Sequence, residues 1–293
     1  TVTDDPKELN PFSYVMEKHQ RNYGGNGKIA KYMQAAYRYP ENFSDFVYAS
    51  QLLQADGIRY GVEHYRRNRG RCMGAIYWQL NDCWPVISWS SIDYYGRWKA
   101  LHYYVKRFFA PVMLSCEEQS WMTVEADMNR QHFEFEKSIR LNVTNETLDA
   151  HRVLVKWAVR KTDATILREE EQWLEVPALS AVWMDKVELP QIDCFNEYVS
   201  YEAWENDQII SQGTVIFSYP KYFHYLNPGL AVRVDGDEIV VKAEAYAKSV
   251  EIRNENDDLI LEDNYFDMNA GEYRVKILDG KPDGLKVRSV YDI

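Results

Sequence analysis

The hydrophobic periodicity of the chain changes at about Pro111, and this change limits the folds that the sequence can adopt. Before Pro111, apolar residues recur at helical spacing, as at Ile29 and Met33. After Pro111, they alternate with polar residues, as at Val153 and Val155. A recurrence of three to four residues is typical of amphipathic helices, whereas a recurrence of two is typical of half-buried strands. The 293 residues therefore contain at least two structural units of different class.

The segment before Pro111 combines helices with one apolar strand. Its pattern predicts helices over 28–37, 45–69 and 97–109, and a short buried strand over 74–78. An apolar strand between helices is typical of a parallel sheet that is covered on both faces. Because one strand cannot build a sheet, we do not expect residues 1–110 to form a complete α/β domain by themselves.

The segment after Pro111 is predicted to be all-β. Seven or eight short strands at regular spacing predict an antiparallel sandwich over 111–225. Six of them are assigned to 121–126, 135–143, 153–159, 181–189, 198–204 and 209–217. Further alternating segments, with turn signals at Asp235–Gly236 and Asp279–Gly280, predict a second, smaller sandwich over 226–293.

Charge and cysteine content narrow the classes of function. Residues 1–110 carry a net charge of +5 and hold 22 of the 42 aromatic residues, whereas residues 111–293 carry −16. The net charge of −11 argues against a general nucleic-acid binder. No apolar run approaches the ~20 residues of a membrane-spanning helix.

The four cysteines form no CxxC pair, which favours free thiols and a cytoplasmic location. The alternative is a disulfide between Cys116 and Cys194, which flank Trp157.

An aromatic and amide-rich stretch, Tyr77–Tyr94, follows the predicted strand. It contains three Trp, two Tyr, one Gln, one Asn and two Asp in 18 residues. Flat apolar faces of sugar rings stack on Trp and Tyr, while amides and carboxylates bind hydroxyl groups. In α/β barrels the site lies at the C-terminal ends of the strands, where Trp78 to Trp84 fall. The stretch therefore indicates a carbohydrate site, and the alternative is that these Trp residues are core anchors of a long loop, as we expect for Trp89 and Trp98.

Other candidate features have simpler interpretations. The scattered histidines offer no HxH, HExxH or Cys/His cluster, so no metal site is predicted. The Gly24–Gly27 run follows no strand and is interpreted as a helix-capping turn. The charged run Glu63–Arg67 is predicted to be a solvated helix face, and Glu169–Glu171 an exposed β edge or turn.

The aromatic and amide-rich stretch, called below the Trp-rich stretch, resembles a known enzyme family. The runs GAIYWQLNDCWP at 74–85, SWSSIDY at 88–94 and GRWKALHY at 96–103 closely resemble the β-mannosidases of glycoside hydrolase family 2. The segments MEKHQ at 16–20, SQLLQA at 50–55, YAKSV at 246–250 and LEDNYFDM at 261–268 are also similar to that family. The resemblance thus extends over nearly the whole chain.

This resemblance implies a multidomain protein. Residues 1–110 would be the C-terminal remnant of a (β/α)8 TIM barrel, with its eighth strand at 75–78, followed by two immunoglobulin-like sandwiches at 111–225 and 226–293. The family is retaining and uses two Glu residues, both expected before residue 1, so neither Glu17 nor Glu63 is assigned that role. Trp78 is expected to form the aromatic floor of the sugar site, and Asn81, Asp82 and Trp84 its rim.

The resemblance implies no metal and no organic cofactor, and β-mannoside oligosaccharides as partners. We expect exposed barrel edges to associate with a second copy, giving a homodimer, or to pack on the next sandwich. The alternatives are another family 2 glycosidase (an exo-glucosaminidase, β-galactosidase or β-glucuronidase) and a non-catalytic carbohydrate-binding or structural β-sandwich module.

Overall fold

The computed structural model describes residues 2–123 and 135–293. The chain forms two compact units, each built from separate stretches of sequence. The first contains 1–59, 76–105 and 227–293, and the second contains 60–75 and 106–226. Residues 1–110 are thus shared between both units, and the three predicted domains, at 1–110, 111–225 and 226–293, stay predictions. No helix in the described part of the chain is long and apolar enough to span a membrane.

Four α-helices occupy the first third of the chain. They are α1 (Tyr14–Gln20), α2 (Gly25–Ala36), α3 (Phe43–Arg67) and α4 (Ala100–Phe108), with 3₁₀ turns at Pro6–Glu8, Pro220–Tyr222 and Val290–Asp292. The three predicted helices correspond to α2, α3 and α4. The capping turn at Gly24–Gly27 is confirmed, because Gly24 precedes α2 in the left-handed conformation with φ of +68°.

The predicted buried strand over 74–78 is wrong for this chain. These residues have no regular secondary structure, and no described strand pairs with them. Ile76 is fully exposed and Trp78 is 73% exposed. A strand requires a hydrogen-bonded neighbour, so an apolar run without one stays irregular. The remnant of a TIM barrel is therefore not established by this fold.

The solvated helix face predicted for the charged run in α3 is also wrong in part. The side chains of Glu63, Arg66 and Arg67 are buried in the second unit. Arg66 donates to the Phe108 carbonyl (2.7 Å), and Arg67 donates to the Cys116 carbonyl (3.3 Å). Arg67 also lies 3.5 Å from the Glu63 carboxylate. Buried charges persist when they are paired and hydrogen-bonded in this way.

The second unit contains an immunoglobulin-like sandwich, with eight strands among its described residues, which confirms the predicted antiparallel fold. The strands are β1 (Val112–Gln119), β2 (Ser138–Asn145), β3 (His151–Lys161), β4 (Ile166–Val176), β5 (Ser180–Trp183), β6 (Val187–Glu188), β7 (Glu197–Glu205) and β8 (Gln208–Ile216). One sheet has the order β1-β2-β5, with β6 also paired to β2, and the other has the order β4-β3-β7-β8.

Alternating side chains from both sheets fill the core of this sandwich. Val143, Val155 and Trp157 are among its buried members, together with Cys116 and Cys194, which are free thiols. Burial raises the pKa of Cys194. The predicted strand Trp121–Ala126 lies partly outside the described residues, and its first three residues form a turn. The prediction of an exposed edge at 169–171 is confirmed in β4.

The first unit contains the smaller sandwich. Its strands are β9 (Ala231–Asp235), β10 (Glu238–Ala243), β11 (Ala247–Arg253), β12 (Ile260–Leu261), β13 (Phe266–Met268), β14 (Gly271–Asp279) and β15 (Lys286–Arg288). They form two antiparallel sheets, with the orders β12-β14-β10-β9 and β13-β11-β15.

Within the first unit, α3 and α4 are fastened to this sandwich by buried tyrosines. Tyr48 of α3 donates to the Ser249 carbonyl (2.6 Å), and Tyr104 of α4 lies 3.3 Å from the Ser249 hydroxyl. At the start of α3, Arg288 pairs with Asp45 at 2.9 Å. The two helices that flank the Trp-rich stretch therefore have fixed positions within the unit.

Candidate functional site

The segment 79–99, called here the site loop, connects Trp78 to α4. It folds back on itself through backbone hydrogen bonds, because the amides of Ser91 and Ile92 donate to the carbonyls of Gln79 and Leu80 (2.9 and 2.8 Å). The Lys99 amide then donates to the Ser91 carbonyl at 2.9 Å. These three bonds bring both ends of the site loop together beside Trp78.

Two adjacent serines hold the interior of the site loop. Ser90 and Ser91 are completely buried. The Ser90 hydroxyl donates to the Asp82 carboxylate, and the Ser91 hydroxyl donates to the Leu80 carbonyl at 3.0 Å. Ser91 also lies within hydrogen-bond distance of the Tyr77 hydroxyl (2.9 Å) and of His102 Nδ1 (3.1 Å). Burial lowers the pKa of His102, which favours the neutral ring.

The predicted site residue Asp82 lies inside the site loop. Its side chain is 1% exposed, and its Oδ1 accepts from the Gln79 amide at 3.3 Å. The Lys99 ammonium lies 3.9 Å from Oδ2. Burial lowers the pKa of Lys99, while Asp82 and Asp93 raise it. Asp82 therefore acts as the internal acceptor that holds Ser90, Gln79 and Lys99.

Trp78 borders a cavity of about 490 Å³ in the first unit. The peptide bond between Trp78 and Gln79 is cis. The lining is mainly apolar and aromatic, and its members include Tyr32, Phe46, Trp89, Gln54 and Lys99. A largely apolar cavity with a few polar groups is typical of small-molecule sites.

Of the four predicted residues only Trp78 lines this cavity, and Asn81, Asp82 and Trp84 do not. Asn81 is exposed and forms an isolated bridge with Ile92. The Trp84 ring stacks on the His19 ring with 4.8 Å between centroids, and the Arg21 guanidinium lies 4.6 Å from the indole centroid. Trp78 and the ion pair between Asp82 and Lys99 thus lie in one region, whereas Trp84 packs on α1. The sugar contacts of all four stay predictions.

Two glutamines on α3 were not predicted as site residues. Gln54 donates to the Trp89 carbonyl (2.8 Å), and Gln51 accepts from the Ala100 amide (3.0 Å). Their spacing of three residues, among apolar residues, was the available signal, because it places two amides on one helix face. No group of three or more metal-binding side chains occurs in 2–123 or 135–293.

The chain is similar to known proteins over nearly its whole length. Residues 137–222 match the family model of the mannosidase Ig/CBM-like domain, and residues 225–293 match that of an Ig-fold domain. Beta-mannosidase B of Thermothelomyces thermophilus is 29% identical over 98% of this chain. The beta-mannosidase of Rattus norvegicus is 39% identical over 35% of this chain.

Solved structures show the same fold. The beta-D-mannosidase of Dictyoglomus thermophilum matches 97% of this chain with a TM-score of 0.80 and 25% identity, and the match covers 34% of that enzyme. An exo-chitosanase of Amycolatopsis orientalis matches 97% of this chain and 40% of its own with a TM-score of 0.63 and 16% identity, which shows the fold alone.

The chain spans about a third of the length of the curated relatives that it matches from end to end: 36% of the Thermothelomyces protein and 34% of beta-mannosidase B from Aspergillus terreus. Both family-model matches fall on the β-rich part of the chain. The chain is similar over nearly its whole length to β-mannosidases, and these matches fit the C-terminal portion of a glycoside hydrolase family 2 β-mannosidase.

Proposed function

We propose that this chain is the C-terminal part of a retaining exo-β-mannosidase, which hydrolyses terminal, non-reducing β-D-mannose from β-mannoside oligosaccharides. The observation that carries this proposal is the match to a beta-mannosidase over 98% of the chain and 36% of that relative. A retaining mechanism requires two carboxyl groups about 5 Å apart, one as acid/base and one as nucleophile. We propose that both belong to a part of the longer protein outside this chain.

Segment 75–78 would be the eighth strand of a barrel in that longer protein. Alternation of exposure supports this proposal, because Ile76, Trp78 and Leu80 are exposed, while Ala75, Tyr77 and Gln79 are partly buried. Exposure that alternates with a period of two is typical of a strand with one exposed face and one buried face. The Trp78 indole, 73% exposed, would then form a flat apolar floor under the bound sugar.

The proposal is tested by comparing this chain with the longer protein on an aryl β-mannoside. We expect hydrolysis by the longer protein and none by residues 1–293 alone. Turnover by the shorter chain would contradict the assignment of both catalytic carboxyl groups to the missing part.

The role of Trp78 is tested by Trp78→Ala in the longer protein. We expect kcat/KM to fall by about tenfold or more, because the aromatic floor is lost. Trp173→Ala is the matched control, since Trp173 is 54% exposed on β4 of the other unit. Equal activities of the two variants would contradict a sugar contact at Trp78.

The same assays distinguish the alternative functions. An exo-glucosaminidase would prefer an aryl β-glucosaminide, and a β-galactosidase or β-glucuronidase would prefer its own aryl glycoside. A non-catalytic module would bind oligosaccharide without turnover even in the longer protein. A cytoplasmic location and a homodimer stay predictions, and the second is checked by the mass of the protein in solution.

A further inference from the structure

The segment 50–55 of α3 contains two glutamines, one of which contacts the site loop and the other the residue that follows it. Gln51 and Gln54 are partly buried, and Leu52 and Ala55 between and after them are completely buried. Residues three apart on a helix lie on the same face. Gln54 bonds to the backbone carbonyl of Trp89, within the site loop. Gln51 bonds to the backbone amide of Ala100, directly after the site loop.

The two glutamines use opposite ends of their amide groups. A backbone carbonyl can only accept, so Gln54 must present its Nε2 hydrogen to Trp89 at 2.8 Å. A backbone N–H can only donate, so Gln51 must present its Oε1 to Ala100 at 3.0 Å. The chemistry of the backbone partners therefore fixes both amide orientations.

Each hydrogen bond is made at a backbone position that regular secondary structure does not stabilise. Ala100 is the first residue of α4, and its N–H has no partner within that helix. Trp89 has a φ of +67°, in the left-handed region that residues with a side chain seldom adopt. The hydrogen bonds to Gln54 and Gln51 thus secure the left-handed turn of the site loop and the start of α4, respectively.

The helix that carries these glutamines is itself fixed. Tyr48, one turn before Gln51, donates to the Ser249 carbonyl of the small sandwich at 2.6 Å. Arg288 pairs with Asp45 at the first turn of α3 and lies over the Tyr48 ring, 4.4 Å from its centroid. A side chain on such a rigid element can hold a loop in one conformation.

We infer that Gln51 and Gln54 are positioning residues that hold the site loop, and with it Trp78, in the conformation needed for substrate. Trp78 and Trp89 border the same cavity as both glutamines. A shift of the site loop would therefore move the proposed sugar floor without removing any group that contacts substrate. The effect on activity rests on the proposed function, whereas the effect on the conformation of the site loop does not.

A pair of Glu substitutions tests this inference, because Glu keeps the size of Gln but only accepts when ionised. Gln51→Glu keeps the acceptor for Ala100, whereas Gln54→Glu places a carboxylate against the Trp89 carbonyl. Hydrogen exchange is measured at the amides of Ser91, Ile92 and Ala100 in the 293-residue chain. We expect Gln54→Glu to accelerate exchange at Ser91 and Ile92 by about fivefold or more, and Gln51→Glu to leave Ala100 protected.

Gln51→Leu, which has no acceptor, is the matched loss variant and is expected to expose the Ala100 amide to exchange. Far-UV circular dichroism and thermal unfolding establish that each variant is folded before its exchange is compared. Equal behaviour of Gln51→Glu and Gln54→Glu, or unchanged exchange in Gln54→Glu, would overturn the inference, since a role in packing alone does not distinguish a donor from an acceptor.

The same variants are then assayed in the longer protein on an aryl β-mannoside. We expect Gln54→Glu to lower kcat/KM by about tenfold, as small displacements of positioned groups do, and Gln51→Glu to retain more activity than Gln51→Leu. Full activity of Gln54→Glu, despite faster exchange, would overturn the positioning role in the reaction. Absence of turnover by the unsubstituted longer protein would instead contradict the proposed function and leave the exchange result unaffected.

Discussion

The large sandwich and the site loop are stabilised in different ways. In the sandwich, continuous antiparallel ladders such as that of β3 with β4 and β7 carry alternating side chains into one apolar core. In the site loop, a few side chains bond to backbone at single positions, as Gln54 does at Trp89 and Ser91 does at Leu80. The sandwich distributes its stability over many contacts, whereas the site loop depends on a few specific bonds.

Substitutions in the two regions are therefore expected to affect different properties, namely stability in the sandwich and the geometry near Trp78 in the site loop. Removing a core side chain from the sandwich leaves a cavity and lowers the free energy of unfolding. Removing one bond of the site loop changes the geometry near Trp78 at a smaller cost in stability. Three predictions test this comparison.

The largest effect is expected at Trp157, in the core of the sandwich. Trp157 is 3% exposed, so Trp157→Ala should lower the free energy of unfolding by about 3–5 kcal/mol. Trp173→Ala is the matched control on the neighbouring strand, and with a 54% exposed side chain it should cost less than about 1 kcal/mol. Urea unfolding followed by circular dichroism measures both. Similar costs would show that the core of the sandwich is not the dominant source of its stability.

An intermediate effect is expected at Asp82, the buried acceptor of the site loop. Asp82→Asn keeps the shape but removes the charge that faces Lys99, which should cost about 3 kcal/mol at pH 7. Burial already lowers the pKa of Lys99 from 10.5, and loss of Asp82 lowers it further. Since the folded state then binds the proton less tightly than the unfolded state, the penalty is present at neutral pH and is relieved as the pH rises towards 10.5.

Urea unfolding of the Asp82→Asn variant at pH 7 and pH 10 measures this effect. Ser90→Ala is the matched control, because it removes a hydrogen bond to Asp82 while the charge pair remains. We expect the cost of Asp82→Asn to shrink at the higher pH and that of Ser90→Ala to stay nearly constant. A cost of Asp82→Asn that is the same at both pH values would contradict the role of Lys99.

The smallest effect is expected at His102. Burial lowers its pKa below 6.5, so the folded state favours the neutral ring. Its contribution to stability is complete above pH 6.5 and is lost as the pH falls through the pKa of the folded state. His102→Gln, which has no titrating ring, should lose less melting temperature between pH 7.5 and pH 5 than the unsubstituted chain. An equal loss in both proteins would exclude His102 as a source of the acid sensitivity.

Much of the fold could be predicted from the sequence because its signals are local. The period of two predicted the antiparallel sandwich, and helical spacing predicted α2, α3 and α4 to within a few residues. The burial of Glu63, Arg66 and Arg67 could not be predicted, because a charged run of this kind is usually solvated. Its partners, the carbonyls of Phe108 and Cys116, are distant in sequence and become available only when the chain folds.

The candidate site shows the same limit. The aromatic and amide composition of 77–94 singled out Trp78, which borders the cavity. It could not indicate that Asp82 points into the site loop, because that depends on how the loop folds back on Ser90, or that Trp84 stacks on His19, which is distant in sequence. The three-residue spacing of Gln51 and Gln54 was visible in the sequence, but their hydrogen-bond partners lie 49 and 35 residues away and could not be read from it.

The sequence by itself indicated the helical and β-rich parts of the chain and the resemblance to β-mannosidases, because periodicity and linear motifs depend on residues close together along the chain. The tertiary structure decided which charges are buried, that 74–78 remains without a strand partner, and which side chains hold the site loop. Those outcomes depend on burial and on backbone partners from distant segments, and neither exists until the chain has folded.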